Sequence, residues 1–170
     1  MERRLAAVLI AEVADYARHF GETEADAHTA LEVRFRGVTD PKIYEHHGRI
    51  VKAIGDSVLA EFANVLDAVK CGLEVQRESA KRNATVPGDE RLGFSIGINH
   101  GLVVIEGDGI YGAVVGIAAR LSTLAGPGGI CISGTAFDQV EDKLDVGFEL
   151  LSEHKPGSFS ELFRGYRVLV

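Results

Sequence analysis

The feature that most constrains the fold of this sequence is an apolar run, residues 5–11, which ends at the acidic residue Glu12. A short run that is apolar at every position indicates a strand with both faces buried, because a solvent-facing strand alternates apolar and polar residues. The run is also too short to cross a membrane. The sequence therefore predicts a central strand of a sheet, and neither a signal peptide nor a membrane span.

A second acidic residue, Asp56, lies in a turn between two strand candidates, residues 49–54 and 58–62, which are predicted to form a hairpin. Both carboxylates thus stand where a strand ends. If the strands are neighbours, the pair could hold a divalent metal ion, and such an ion implies a polyphosphate ligand. The alternatives are that Asp56 is an ordinary turn residue and that Glu12 faces solvent or pairs with a cation.

Composition predicts one globular domain, residues 1–170, because 46% of the residues are apolar and 25% are charged. The net charge of −7 excludes a broad basic surface, so no nucleic-acid partner is expected, although a small anionic ligand remains possible. Cys71 and Cys131 are far apart and form no metal-type cluster. Reduced thiols and a cytoplasmic location are expected.

The remaining segments predict alternating helices and strands. A helix is expected over residues 22–38, and a second short helix, with Asp40 as its cap, is expected to follow Pro41 and to end at Gly48. Further helices are predicted over residues 64–84 and 112–125 and after Ser133. Further strands are predicted over residues 92–98, 102–105, 130–133, 148–152 and 165–170, with residues 99–101 as a second hairpin turn.

This order contains two βαβ halves with hairpins. It predicts an α+β sandwich of the ferredoxin-like (βαβ-βαβ) kind, with helices covering one face of the sheet.

Six short strings occur in order along the chain: residues 3–9 (RRLAAVL), 48–56 (GRIVKAIGD), 96–101 (IGINHG), 107–112 (GDGIYG), 118–121 (AARL) and 127–133 (PGGICIS). Together they resemble the catalytic domain of class III adenylate/guanylate cyclases in its compact bacterial form. The resemblance implies conversion of a purine nucleoside triphosphate to a 3′,5′-cyclic nucleotide and pyrophosphate. It also implies Mg²⁺ or Mn²⁺ in a two-metal site, and a head-to-tail homodimer with active sites at the subunit interface.

Four residues match functional positions of that family. Glu12 and Asp56 stand at the two metal-binding positions, and Lys52 at the position that contacts the purine edge. Arg120 matches a substrate-binding and catalytic arginine that faces the ribose and phosphates. The alternatives are a solvated strand residue for Lys52 and a salt bridge for Arg120.

Other family positions are altered. Asp15 replaces a small residue in the phosphate-binding turn, where it could also be a helix cap. Gly109 replaces the aspartate that specifies adenine, and Asp108 could bind substrate instead after a one-residue shift. Gly116 replaces an asparagine on the helix of the catalytic arginine, and Lys155 falls about two residues before the position of a phosphate-binding lysine.

Three hypotheses follow. The chain is a working nucleotidyl cyclase, or it is a cyclase-like domain that has lost catalysis and serves as a dimerisation or nucleotide-sensing module, or it acts on another triphosphate. Glu12 is one methylene longer than the family's aspartate, and a misplacement of about 1 Å can cost roughly a hundredfold in rate. Loss of one preorganised donor costs about 10²–10³. We therefore expect weak or absent activity, and enzyme status is left open.

Overall fold

The computed structural model describes residues 2–14, 25–154 and 163–170, and of residues 25–28, 152–154 and 163 only the backbone. Within these residues, eight strands and four α-helices follow one another along the chain. They are β1 (Glu2–Val13), α1 (Ala25–Glu45), β2 (Arg49–Ile54), β3 (Ser57–Phe62), α2 (Val65–Asn83), β4 (Phe94–Glu106), β5 (Gly109–Tyr111), α3 (Ala113–Ala125), β6 (Ile130–Ser133), α4 (Gly134–Val140), β7 (Phe148–His154) and β8 (Phe163–Val168).

The strands form one sheet in the order β2-β3-β1-β4-β6-β8-β7, and β5 pairs with β4. β1 is antiparallel to both of its neighbours, β3 and β4, while β4 runs parallel to β6. Every residue from Ala6 to Ala11 is buried. The predicted central strand is therefore confirmed, as is the predicted hairpin of β2 and β3.

Alternate residues of β1 pack into two different apolar clusters, which places helices on both faces of the sheet. Leu9 belongs to the larger cluster, formed with α1, α2 and α4. Val8 belongs to a smaller cluster that includes Ala118 of α3. The α+β fold class is confirmed. The predicted helical layer is formed by α1, α2 and α4 on one face of the sheet. The remaining helix, α3, lies across the opposite face.

The predicted turn at residues 99–101 is wrong, because β4 is one continuous strand that pairs with β1 from Phe94 to Ile105. Glycine at position 101 serves packing rather than chain reversal. A Cβ atom at Gly101 would come within 2.7 Å of Val114 Cγ2 on α3. The helix can approach the strand only because that atom is missing.

The predicted break before Pro41 is also wrong, because α1 continues through this residue to Glu45. Asp40 does not cap a new helix. Its carboxylate accepts a hydrogen bond of 2.7 Å from Arg36 Nε, one turn earlier. Proline lacks the N–H that would bond to the carbonyl of Gly37, and packing of α1 on the core offsets that loss. The helix ends in a turn with His47 at φ 66°.

None of the helices in the described residues is both long and apolar enough to cross a membrane. Cys71 and Cys131 are both buried and free. Burial raises the pKa of the Cys71 thiol to about 12, so this thiol is protonated at neutral pH.

Candidate functional site

The two predicted metal ligands, Glu12 and Asp56, lie side by side at one end of the sheet. The N–H of Val13 donates a 2.8 Å hydrogen bond to the carbonyl of Asp56. Glu12 itself is paired across the β1–β3 ladder with Ser57. The structure thus brings together the strand ends that the sequence predicted to be neighbours.

The local environment raises the pKa of the Glu12 carboxyl above its usual range. Partial burial is the main cause, and the negative charge of Asp56 adds to it, while a hydrogen bond with Ser122 acts in the opposite direction. A positive charge between the carboxylates would relieve the repulsion. Two carboxylates in this position are the hard oxygen ligands that Mg²⁺ and Mn²⁺ prefer, so the donor set fits such an ion.

Two predicted positions cannot be placed. Asp15 and Lys155 lie outside the described residues. The last described residue before Asp15 is Ala14, whose N–H donates to the carbonyl of Gly93 at 2.7 Å. This bond ties the end of β1 to the start of β4, next to the two carboxylates.

Lys52 is exposed on β2, just after a bulge, and is paired across the ladder with Leu59. The tip of the β4–β5 hairpin lies against the same strand, because Arg49 Nη1 donates a 2.9 Å hydrogen bond to the carbonyl of Asp108. The two residues predicted to contact a base, Lys52 and Asp108, therefore belong to adjoining segments of one chain.

The β4–β5 ladder fixes the places of Gly109 and Asp108 within this chain. Gly109 is paired with Glu106 in the β4–β5 ladder, and Asp108 stays in the exposed turn before it. The space above Gly109 is taken by Tyr111, whose hydroxyl would lie 2.8 Å from a Cβ atom at position 109. A side chain at position 109 therefore requires the tyrosine ring to move.

Arg120 and Gly116 are four residues apart on α3 and so share one side of the helix. Ser122 of the same helix faces the sheet, where its buried hydroxyl donates to the carbonyl of Ser95 at 3.1 Å. Residues 120 and 122 are about 200° apart around a helix, so Arg120 is directed away from the Glu12 of its own chain. Arg120 is exposed, whereas Gly116 is half-buried and offers no side-chain donor.

A charge network that the sequence analysis missed connects β1, β2 and β3 toward the end of these strands that lies away from Glu12 and Asp56. Glu61 is buried, and Arg4 binds both of its carboxylate oxygens at 2.8 Å. Arg49 Nη2 binds the same carboxylate at 2.9 Å. The hydrogen bonds from Arg4, and then those from Arg49, lower the pKa of Glu61. The sequence indicates this network only by placing one charged residue in each of three strands, β1, β2 and β3.

A second group of possible metal ligands, Glu45, His46 and Glu74, lies between α1 and α2. His46 hydrogen-bonds to Glu74. The ammonium of Lys42 lies 3.2 Å from Glu45 and 3.5 Å from Glu74, so the two carboxylates already have a cation. We assign no metal to this group.

Comparisons with known proteins agree with this geometry. The crystal structure of an adenylate/guanylate cyclase/hydrolase from Silicibacter pomeroyi is 34% identical, with a TM-score of 0.88, and the match covers 100% of this chain and 99% of that one. The guanylyl cyclase Cya2 is 24% identical, with a TM-score of 0.83, over 98% of this chain and 92% of that one.

A curated relative, putative adenylate cyclase 3 of Rhizobium meliloti, is 36% identical over 148 residues, which are 87% of this chain. The match spans only 25% of the length of that relative. No protein-family model matches the chain. Because the Silicibacter pomeroyi match exceeds 30% identity and extends over both chains, we conclude that this chain belongs to the class III adenylate/guanylate cyclase family.

Proposed function

We propose that this domain binds a purine nucleoside triphosphate with Mg²⁺ or Mn²⁺ in a head-to-tail homodimer, but forms cyclic nucleotide weakly or not at all. The observation that carries the proposal is the adjacency of Glu12 and Asp56, next to a helix whose Gly116 has no side chain. Metal binding is retained in this proposal, and the groups that stabilise the transition state are reduced.

Each retained residue has a defined task. Glu12 and Asp56 would hold metal, which supplies activation of the ribose 3′-hydroxyl and neutralisation of the triphosphate. Lys52 would bind the edge of the base as a donor. Arg120 would bind phosphate oxygens with its planar fork.

The direction of Arg120 supports the dimer. It faces away from the sheet and from the carboxylates of its own chain, so in this proposal a second copy supplies the arginine for each site. Several large apolar side chains are also exposed, among them Leu102, at 57%, and Tyr111, at 54%. A monomer would leave these side chains in water, and burial of them at a subunit interface would stabilise a dimer.

The case for weak turnover rests on the absent donors. Gly116 cannot donate a hydrogen bond to the reacting centre, and one missing donor lowers the rate by about 10²–10³. Gly109 cannot specify a base, and the longer arm of Glu12 changes the position of one metal-ligating carboxylate. Together these changes favour nucleotide sensing over synthesis.

Isothermal titration calorimetry with a non-hydrolysable ATP or GTP analogue tests the proposal. We expect heat that depends on both the nucleotide and Mn²⁺, and that is lost in Asp56→Ala. The variant Asp67→Ala, which removes a carboxylate at the start of α2, is the matched control and should bind as the parent does. No heat of binding under any condition would contradict nucleotide sensing and would favour the alternative of a dimerisation module.

A further inference from the structure

The guanidinium of Arg49 joins two segments that are not neighbours in the sheet. Its Nη2 atom donates to the Glu61 carboxylate at 2.9 Å, and its Nη1 atom donates to the carbonyl of Asp108 at 2.9 Å. Glu61 belongs to β3, while Asp108 lies in the turn between β4 and β5. Because β1 lies between β3 and β4 in the sheet, the Arg49 side chain is a connection across the end of the sheet.

The direction of this guanidinium is set by the carboxylate that it binds. Glu61 is buried, with an exposed fraction of 7%, and Arg4 also binds its oxygens, at 2.8 Å. A guanidinium is planar and its N–H groups diverge at fixed angles. Binding to Glu61 through Nη2 therefore sets where Nη1 of Arg49 points, and the Asp108 carbonyl is held at a defined place.

The turn that Arg49 holds is built from residues that restrain the backbone little. Glycine stands on both sides of Asp108, and Gly107 has a left-handed φ of 61°. Glycine leaves the backbone more freedom than any other residue. The strand that follows, β5, is only three residues long. We therefore expect the hydrogen bond to the Asp108 carbonyl to decide how well this turn is ordered.

We propose that Arg49 is a positioning residue for the base of the bound nucleotide, because it holds the turn at residues 107–109 against the strand that carries Lys52. Lys52 lies three residues after Arg49 on β2. Gly107 and Gly109 have no side chains, so the turn can contact a base only through backbone groups or through the Asp108 carboxylate. The places of both depend on the backbone that Arg49 holds. This inference rests on the proposed function, because it takes Lys52 and this turn as the base-contacting segments.

Loss of the anchor should weaken nucleotide binding and leave phosphate binding intact. In Arg49→Gln the turn is no longer held, so nucleotide binding must order it again, and we expect the Kd for a non-hydrolysable ATP analogue with Mn²⁺ to rise by about tenfold. Inorganic tripolyphosphate carries the phosphates without a base. Its Kd with Mn²⁺ should change by less than about twofold, because its binding does not order the turn.

Arg4→Gln is the matched control. Arg4 and Arg49 bind the same carboxylate, and their side chains are equally exposed, at 44%. The Arg4 variant keeps both hydrogen bonds of Arg49 and so keeps the turn in place. Each variant removes one arginine from Glu61 and should lower stability by a similar amount. The Kd of Arg4→Gln for the ATP analogue should stay within about twofold of the parent, because no new ordering is required.

Arg49→Lys separates the bridge from the charge. Lysine keeps the positive charge but has a compact ammonium in place of the planar fork, so it cannot hold both acceptors in the same geometry. We expect this variant to lose nucleotide affinity as Arg49→Gln does. Isothermal titration calorimetry measures the affinities. The heteronuclear NOE values of the Gly107 and Gly109 amides, recorded without ligand, should fall in both Arg49 variants and not in Arg4→Gln.

Four results would overturn the inference. An equal rise of the nucleotide Kd in Arg49→Gln and Arg4→Gln would reduce the effect to damage of the shared network. Parental affinity in Arg49→Gln or in Arg49→Lys would exclude the bridge and leave the proposed function intact. A matching loss for tripolyphosphate would show that Arg49 does not act on the base. If the parent gives no Mn²⁺-dependent heat with the nucleotide, the proposed function fails and this inference fails with it.

Discussion

Val13 donates its backbone N–H to the carbonyl of Asp56 at 2.8 Å, and this bond joins the end of the central strand to the turn of the neighbouring hairpin. Because the bond is between backbone atoms, it fixes the two strand ends whatever their side chains are. Glu12 and Asp56 therefore remain neighbours even in variants that remove one carboxylate. Such variants test the chemistry of the site without dismantling it.

Replacing Glu12 by glutamine should change the pH dependence of stability. The pKa of Glu12 is raised in the folded protein, so the folded state holds its proton to higher pH than the unfolded chain does. Stability from this group is full below the unfolded pKa of about 4.3 and is lost as pH rises through the folded pKa. Without metal, Glu12→Gln should equal the parent near pH 4 and exceed it at pH 7.

Urea unfolding at pH 4 and pH 7 measures this difference. Added Mg²⁺ should stabilise the parent and not the glutamine variant. A variant that loses stability relative to the parent as pH rises would contradict the account of Glu12.

The network around Glu61 should contribute measurably to stability. Glu61→Gln removes the charge that Arg4 and Arg49 share. Both arginine side chains are 44% exposed, so solvent screening limits the loss to about 1–2 kcal/mol at pH 7. Because the pKa of Glu61 is lowered, this contribution disappears as pH falls below about 4.

A matched control for Glu61 is Glu78→Gln, which breaks the exposed pair with Arg82 on α2. Chemical denaturation should show a change within about 0.5 kcal/mol for that variant. Equal effects at the two positions would show that the network around Glu61 is an ordinary surface feature.

Alanine at Gly97 should be severely destabilising. The new Cβ atom would overlap the backbone of α3, which cannot move without leaving the sheet. We expect a loss of about 3 kcal/mol or more, at or above the upper end of ordinary overpacking. Gly88→Ala is the control, because nothing lies within 4 Å of its added atom, and thermal or urea unfolding should show a change below about 1 kcal/mol.

The role of Gly97 shows why parts of the fold escaped prediction from sequence. The strand β1 could be predicted from its own residues, because a short run that is apolar at every position is typical of a strand with both faces buried. Gly101 and Pro41 instead resemble breaks in an element, because their local preferences for turns are strong. Their actual environments depend on Val114 and on the core beneath α1, which are distant in the sequence.

Some features of the candidate site could likewise be predicted from nearby residues, and others depend on packing between distant segments. Glu12 and Asp56 could be paired in advance because each ends a strand and follows a recognisable string. The hydrogen bond from Ser122 to the Ser95 carbonyl could not be predicted, since it depends on how closely α3 packs on β4 at Gly97. Burial of Glu61 was equally hidden, because a glutamate in a strand usually indicates a solvent-facing position.

Restoring the family residues should raise activity. The triple variant Gly116→Asn, Gly109→Asp and Glu12→Asp returns a donor, a base-reading carboxylate and the shorter metal ligand. We expect cyclic nucleotide formation at least tenfold above the parent in an assay with Mn²⁺, since one restored donor is commonly worth about 10²–10³. Tyr111 must move to admit a side chain at position 109, so Gly116→Asn with Glu12→Asp should be measured separately. No gain in either variant would contradict the proposed dimer geometry.

The most direct test of the central claim is turnover by the purified parent protein with Mn²⁺ and either ATP or GTP, measured as cyclic nucleotide by mass spectrometry beside Asp56→Ala. The account predicts product at or near the level of Asp56→Ala with both substrates. Clear turnover that disappears in Asp56→Ala would contradict it, and would make this domain a working cyclase.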